Sequence, residues 1–388
     1  MAPPTLAEVF ATHWPAYAQR QRAHLAAAHY RAARAILSCR TAQKGMVRRV
    51  CAGCGAVHVA PLSCGHRACP QCGTAQARAW EARRAAKLLP VPHFLVTLTV
   101  PEELRPLLRG KIGCDAMFRA AAVALRQSAG AHLGGEPGWT SVLHTWTRQL
   151  AAHPHLHLIV AGCVVSKEGA LREVRRRDYL VPHALLAARW RDALRAALQA
   201  AAAADPALAA PLAQIPAATW TRRWVVDLQP VGSGEKALTY LARYVQKTAL
   251  DAARLVRFDA QSVTIAWRER PKHPGDRRGL ARQTRLTADE FLRRFLQHVL
   301  PGGFQRVRHG GFYSAAAKEK YSHLAALLGH RAPPPADPWQ MPCEKCGGAM
   351  QVASITVGRV TIIPRAAQQR RLAAHALDPG APTLERAP

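Results

Sequence analysis

Leu150-Ala151-Ala152-His153-Pro154-His155-Leu156-His157-Leu158-Ile159-Val160 is the stretch whose reading decides the rest of the chain. Written as a β-strand, its side chains point alternately to opposite faces. His153, His155, His157 and Ile159 then share one face; Pro154, Leu156, Leu158 and Val160 share the other, which reads as core. Two strand rises separate His155 from His157 by about 6.5 Å, close enough to converge on one divalent ion. A structural histidine cluster would look the same in isolation, so a second element is needed to decide between them.

That element is Ala237-Leu238-Thr239-Tyr240-Leu241-Ala242-Arg243-Tyr244-Val245. Leu238, Leu241 and Val245 follow the spacing of a buried helical stripe. Tyr240 and Tyr244, four apart, are neighbours on a different face. Beside a His-x-His strand they suggest paired phenolic nucleophiles opposite a metal that polarises a phosphodiester.

The 388 residues carry a formal charge of +30 and a pI near 11.0. Such an excess points to a polyanion, nucleic acid first, and away from enzymes of small neutral molecules. Neither a secretory signal nor a membrane span is expected: the most apolar run, Ala196 to Leu212, is Ala-rich and interrupted by Asp205 and Pro206. In the cytoplasm, then the expected compartment, the ten cysteines would be thiols or metal ligands.

Two Cys-x-x-Cys-Gly knuckles, Cys51/Cys54 and Cys69/Cys72, have structural-zinc spacing. The expected Zn²⁺ set is therefore Cys51, Cys54, Cys69 and Cys72. Cys64, His58 and His66 are rival ligands, and Cys39 is available for a second site. Cys343 and Cys346 form an isolated pair, half of a second zinc site, with His330 as a partner to consider.

Outward from these motifs, helices are expected near Leu6–Leu37, Gln76–Leu88, Cys114–Ser128, Pro182–Ala204 and Ala288–Leu300. The last is capped by Thr287, with Glu290 at the capping-box position. Strands are expected at Pro92–Pro101, Gly138–Leu150, Thr219–Leu228 and, as one or two, within Leu255–Arg268. The segment Pro301–Phe312 interleaves bases with aromatics, as a DNA-facing loop would. Arg331–Pro338 is a proline-rich linker, and the tail beyond Pro379 looks disordered.

Taken in order, several blocks carry a family resemblance: Cys51-x-x-Cys54-Gly55, Cys64-Gly65-His66-Arg67-Ala68-Cys69-Pro70-Gln71-Cys72, Pro101-Glu102-Glu103-Leu104, His153-Pro154-His155-Leu156-His157, Tyr240-Leu241-Ala242-Arg243-Tyr244, and Glu290 to Pro301. The chain resembles the two-tyrosine HUH rolling-circle transposases of bacterial insertion sequences, which have an N-terminal transposase zinc-binding domain. The resemblance implies an α+β fold: an HUH nuclease core, an antiparallel sheet flanked by helices, with an N-terminal zinc ribbon and a small C-terminal helical and zinc-knuckle region. The corresponding division is 1–88 (zinc and DNA binding), 89–270 (catalytic), 271–330 (basic, helical) and 331–388 (linker, knuckle and tail).

The resemblance further implies nicking and rejoining of single-stranded DNA by Tyr240 and Tyr244 through a 5′-phosphotyrosine. Catalytic Mg²⁺ or Mn²⁺ would be held by His155 and His157. Gln149 resembles the upstream Gln or Glu of related enzymes and is the expected third ligand, with His144 and His153 as rivals. Arg243, Lys247, Arg306 and Arg308 are the expected DNA contacts. The partners implied are single-stranded DNA at element ends and target DNA, with homo-oligomerisation left open and no membrane. Two other readings share these residues: an HUH replication initiator or relaxase, and a non-catalytic zinc-ribbon DNA-binding regulator.

Overall fold

The computed structural model describes residues 3–246, 249–269, 279–332 and 341–365; within it, the side chains at 74–75 and 243–246 lie outside the description. The fold is α+β with antiparallel sheets. At its centre is a six-stranded sheet in the order Val307–Gly310, Glu136–Trp146, Ala152–Val165, His93–Leu98, Val226–Pro230, with Leu171–Glu173 paired to the far half of the histidine strand. Strand alternation works as expected. Leu156, Leu158 and Val160 join Phe94, Val96 and Leu98 of the neighbouring strand in the main core. Helices Gly110–Leu133 and His183–Ala204 cover that face, the latter inserting the fully buried Trp190. Each large apolar side chain buried this way contributes roughly 1.5–3 kcal/mol.

The opposite face, which carries the histidines, is only partly covered. Ile159 and Val142 pack against Ala237, Leu238, Leu241 and Ala242 of helix Glu235–Gln246, and Trp80 of helix Thr74–Ala85 completes this smaller cluster. The tyrosine helix therefore lies on the histidine face. A second core joins the N-terminal helices Leu6–Arg20 and Ala27–Ser38 to helix Ala288–Leu296 and to a three-stranded sheet, Leu255–Phe258, Ser262–Arg268 and Ala281–Thr287. Thr287 caps its helix as expected, accepting from the Glu290 N–H at 3.3 Å, whereas the Glu290 carboxylate turns to Arg293 and Arg294.

The third sheet departs most from expectation. Hairpin Met46–Cys51/Val57–Pro61 pairs with Ala349–Val357, which also carries Met341–Pro342 and Val360–Ile362. The expected separation of 1–88 from 331–388 is thus corrected: both ends of the chain build one sheet. Smaller corrections follow local chemistry. The expected strand Thr219–Leu228 is a helical turn, Ala217–Thr221, and then the strand Val226–Pro230, because Trp220 and Trp224 bury their rings together. The helix expected across Leu6–Leu37 is two helices broken at Arg22–His24. Pro301–Phe312 is no exposed loop; Val307–Gly310 pairs with the central sheet. Residues 270–278, most of the proline-rich linker and the tail beyond Pro379 lie outside the described residues. Among the described residues, no helix is long and apolar enough to cross a membrane.

Candidate active site

Strand register builds the site. His144 lies directly across from His155, and Val142 and Thr97 flank His157 on either side. Cross-strand partners share a face, so His144, His155 and His157 converge. Their ligand nitrogens all lie within 4.8 Å of one another. His155 Nδ1 is 2.7 Å from the His153 carbonyl oxygen, and His157 Nδ1 is 3.1 Å from Thr97 Oγ1. With Nδ1–H donated in each case, Nε2 carries the lone pair, the arrangement in which a histidine's second nitrogen orients it for metal. His144 Nδ1 lies 3.0 Å from His155 Nε2. Burial pushes the His157 imidazole down to about 4, and it also holds His144 well below the ordinary histidine value, with neighbouring imidazoles adding to the shift. These rings are neutral at physiological pH, as metal ligands must be.

Trp146 packs edge-on against His144 at 4.3 Å between ring centroids. Tyr240 stands over the open side, 6.0 Å from the His157 ring and 39% exposed. Its helix is seated by Leu238 and Leu241, so the phenol is presented from a fixed scaffold to the three imidazoles. Tyr244 falls one turn later on the same helix; its side chain and that of Arg243 lie outside the described residues, as does Lys247 entirely.

Gln149 sits in the turn beyond the Trp146–Ala152 pair, where its carbonyl accepts from Arg294 at 3.1 Å. The group across from His155 is His144. His153 is 5.0 Å from His155 between ring centroids but is not among the three converging imidazoles. Two expected DNA contacts have other surroundings. Arg306 is 6% exposed and stacks on Trp146 at 5.3 Å, and Arg308 pairs with Asp115 and lies over Phe118. Both come from a segment that is partly sheet rather than an exposed loop.

Eight of the ten cysteines form two quartets, and neither is the expected one. Cys39, Cys64, Cys69 and Cys72 make the first; Cys51, Cys54, Cys343 and Cys346 make the second. The reason is the hairpin Met46–Pro61. Cys51 and Cys54 lie at its tip, whereas Cys39 and Cys64 bracket its base, about 15–20 Å away at the rise of a strand. Cys51/Cys54 therefore cannot share an ion with Cys69/Cys72. The half-site Cys343/Cys346 is completed by Cys51/Cys54 and not by His330, which reaches the Ala86 carbonyl instead.

Sγ–Sγ separations of 3.5 Å (Cys39–Cys72, Cys64–Cys72), 3.4 Å (Cys51–Cys346) and 3.7 Å (Cys54–Cys343) approach the roughly 3.8 Å edge of a tetrahedron with 2.3 Å zinc–sulfur bonds. The second quartet's knuckles are near copies. Gly55 N–H donates to the Cys51 carbonyl at 3.1 Å and Gly347 N–H to the Cys343 carbonyl at 2.8 Å, both glycines being left-handed. In the first quartet the Cys69 thiol holds Cys64 down to about 5, while burial pushes Cys39 up to about 11. A thiolate is thereby ready for metal. Both quartets fit Zn²⁺. His66 stays outside, its Nδ1 accepting from the Ala68 N–H at 3.1 Å.

Comparison with known proteins places a zinc-binding domain in the N-terminal part of the chain. Residues 9–100 match a family described as "Transposase zinc-binding domain", and residues 138–320 match one described as "Putative transposase". The chain is 33% identical over 350 residues to "Putative transposase y4qJ" of Sinorhizobium fredii (strain NBRC 101917 / NGR234), covering 86% of each. It is 27% identical over 290 residues to "Transposase for insertion sequence element IS801" of Pseudomonas savastanoi pv. phaseolicola, covering 71% of this chain and 68% of that one. No solved structure matches.

Proposed function

Because the chain belongs to the insertion-sequence transposases that carry an N-terminal transposase zinc-binding domain, we propose that it nicks and rejoins single-stranded DNA by tyrosine attack, in rolling-circle transposition. The observation that carries this reading is Tyr240 standing 6.0 Å from His157, on the face where three imidazoles converge.

The Tyr240 phenolic oxygen attacks the scissile phosphorus. The new O–P bond forms as the P–O3′ bond breaks, and the 3′ oxygen leaves as a hydroxyl, taking up a proton. The product is a 5′-phosphotyrosine, and attack by a 3′-hydroxyl reverses the step, so rejoining needs no nucleotide cofactor. A phenol of pKa about 10 is a poor nucleophile at neutral pH. A divalent ion held by His144, His155 and His157 would draw charge from the non-bridging oxygens and stabilise the leaving oxygen. The His153 carbonyl requires the Nδ1–H tautomer of His155, Thr97 bonds Nδ1 of His157, and Trp146 buttresses His144. An all-imidazole set suits a transition ion better than a hard, oxygen-seeking one, so Mn²⁺ fits better than Mg²⁺.

Tyr244, one turn on, is the second nucleophile: one tyrosine holds the cut element end while the other attacks the target or the second end. The zinc quartets fold a module that grips DNA without cutting it. Incubation with labelled single-stranded DNA from the element ends tests this reading. Each of Tyr240→Phe and Tyr244→Phe should still trap some covalent adduct yet fail at complete transposition, and the double variant should trap none. Transposition at the parental level by either single variant would overturn the paired mechanism. An adduct in the double variant would overturn tyrosine chemistry altogether.

A further inference from the structure

Next to the three imidazoles lies a cavity of about 70 Å³, formed where the second N-terminal helix, the Cys64–Cys69 loop and the end of helix Ala288–Leu296 meet. Arg31, Arg67 and Arg306 line it, with His66 and His298 beside them; among the described residues, no carboxylate lines it. Arg67 is fixed in place by donating to the Phe304 carbonyl at 2.7 Å and the Pro301 carbonyl at 3.3 Å. Arg306 is 6% exposed, and although burial lowers it to about 10, with Arg67 adding like charge, it remains a cation at neutral pH. Three guanidinium groups around one small cavity repel one another, most strongly between the buried Arg306 and the half-buried Arg67, where solvent screens least. An anion seated between them would relieve that repulsion, and the planar fork of arginine suits phosphate oxygens.

The position of the cavity says which phosphate. Arg306 lies on the Trp146 ring at 5.3 Å, and Trp146 also contacts His144 at 4.3 Å. One indole therefore separates the wall of the cavity from the ligand face of the imidazoles. We propose that this cavity binds a backbone phosphate of the single strand, a neighbour of the scissile phosphate, held by Arg31, Arg67 and Arg306. This rests on the DNA-cleavage reading above. Through His66 and Arg67, it also gives the first cysteine quartet a task close to the chemistry. The quartet shapes the loop that supplies two walls of the phosphate site.

The test uses the full-length, zinc-loaded protein and a fluorescent 20-nucleotide oligothymidylate, with affinity measured over a series of KCl concentrations. Arg31→Gln, at an exposed position, removes one cation. Ala28→Glu, one turn earlier in the same helix, places a carboxylate at the cavity rim. Each phosphate contact on a single strand contributes about 0.7 to the slope of log affinity against log salt. Both variants should therefore lose about 0.7 of slope and bind several-fold more weakly at low salt. Ala28→Glu should melt no lower than the parent, because its carboxylate meets arginines and sits in the first turn of a helix. Arg119→Gln, on the helix covering the far face of the sheet, should leave the slope unchanged. Parental slopes in both cavity variants would overturn the proposal, as would an equal loss in Arg119→Gln. If the parent still forms covalent adduct in that case, only the cavity assignment fails. If the parent binds no single strand at all, the cleavage reading fails with it.

Discussion

The central sheet and the cysteine sheet are both antiparallel and both bring together distant segments, yet different forces hold them. The central sheet buries Leu156, Leu158, Val160, Phe94 and Trp190 in one continuous core. Among the described residues, the buried cluster of the cysteine sheet is Cys51, Cys343 and Met350, with Ala56 and Met341 against it and Val47 buried apart from it. Val59, Val360 and Ile362 of that sheet are exposed. So small a cluster cannot stabilise five strands, and sulfur–metal bonds must supply what burial does not. The difference also divides the work. The proposed catalytic groups sit on the sheet with the continuous apolar core, whereas the second quartet closes the sheet that lacks one.

Metal removal should separate the two regions most sharply. Structural zinc is worth roughly 10–16 kcal/mol of apparent binding free energy. Stripping it with a strong chelator should open residues 46–61 and 349–357 to hydrogen exchange while residues 152–165 stay protected. Elemental analysis before chelation should find two zinc ions per chain, and Cys343→Ser should lower that to one. A single zinc unaffected by Cys343→Ser would dissolve the two-quartet picture. The reciprocal experiment strikes the other region. Leu158, fully buried in the central strand, should cost about 2–5 kcal/mol when cut back to Ala. Denaturant titration should show that loss in the central transition, with zinc content unchanged.

A finer test asks how firmly the sheet holds its three candidate metal-binding imidazoles. Thr97→Val removes the partner of His157 Nδ1 without changing the strand. Loss of such a partner typically weakens metal binding about 10–100-fold, which Mn²⁺ titration followed by electron paramagnetic resonance would measure; unchanged affinity would show that Thr97 does not orient the ring. The smallest effect concerns pH. The Arg293 hydrogen bond, followed by that of Arg294, holds Glu290 down to about 2. A depressed carboxyl contributes stability above its unfolded value of about 4.5, and that contribution disappears as pH falls through about 2. Because these pairs lie near the surface, the contribution should be under about 1 kcal/mol. Glu290→Gln should flatten the acid limb of thermal stability by that amount.

What the sequence discloses and what it hides follow from how local each signal is. Alternation along His153–Val160 depends only on the strand itself, so both faces of that strand are legible from the residues alone. His144 is another matter. Its place across from His155 depends on the register of a hairpin whose turn passes through Leu150 in the left-handed region, at φ 61°. Nothing in a list of residues sets that register, and Gln149, nearer in sequence, draws attention first. The cysteine quartets are hidden for a similar reason. Knuckle spacing identifies each pair, but which pairs meet depends on the length of the Met46–Pro61 hairpin and on a partner strand from the other end of the chain. Three Cys-x-x-Cys pairs together with Cys39 and Cys64 make up two sets of four, and that count was the available clue. Strand Ala281–Thr287 leaves no apolar alternation to read, since it reads Ala-Arg-Gln-Thr-Arg-Leu-Thr and buries only Leu286.

The sheet built from both ends of the chain has a consequence in time. Residues 46–61 leave the ribosome early, but the strand and the two thiolates that complete their sheet are made roughly 300 residues later, about 15–60 s at bacterial elongation rates of 5–20 residues per second. Until then Cys51 and Cys54 wait as an open half-site at the tip of an uncovered hairpin. A ribosome that stalls before Cys343 thus releases a chain with its imidazoles and tyrosines present and its second zinc quartet unfinished. Closing that quartet records that synthesis has passed Cys346.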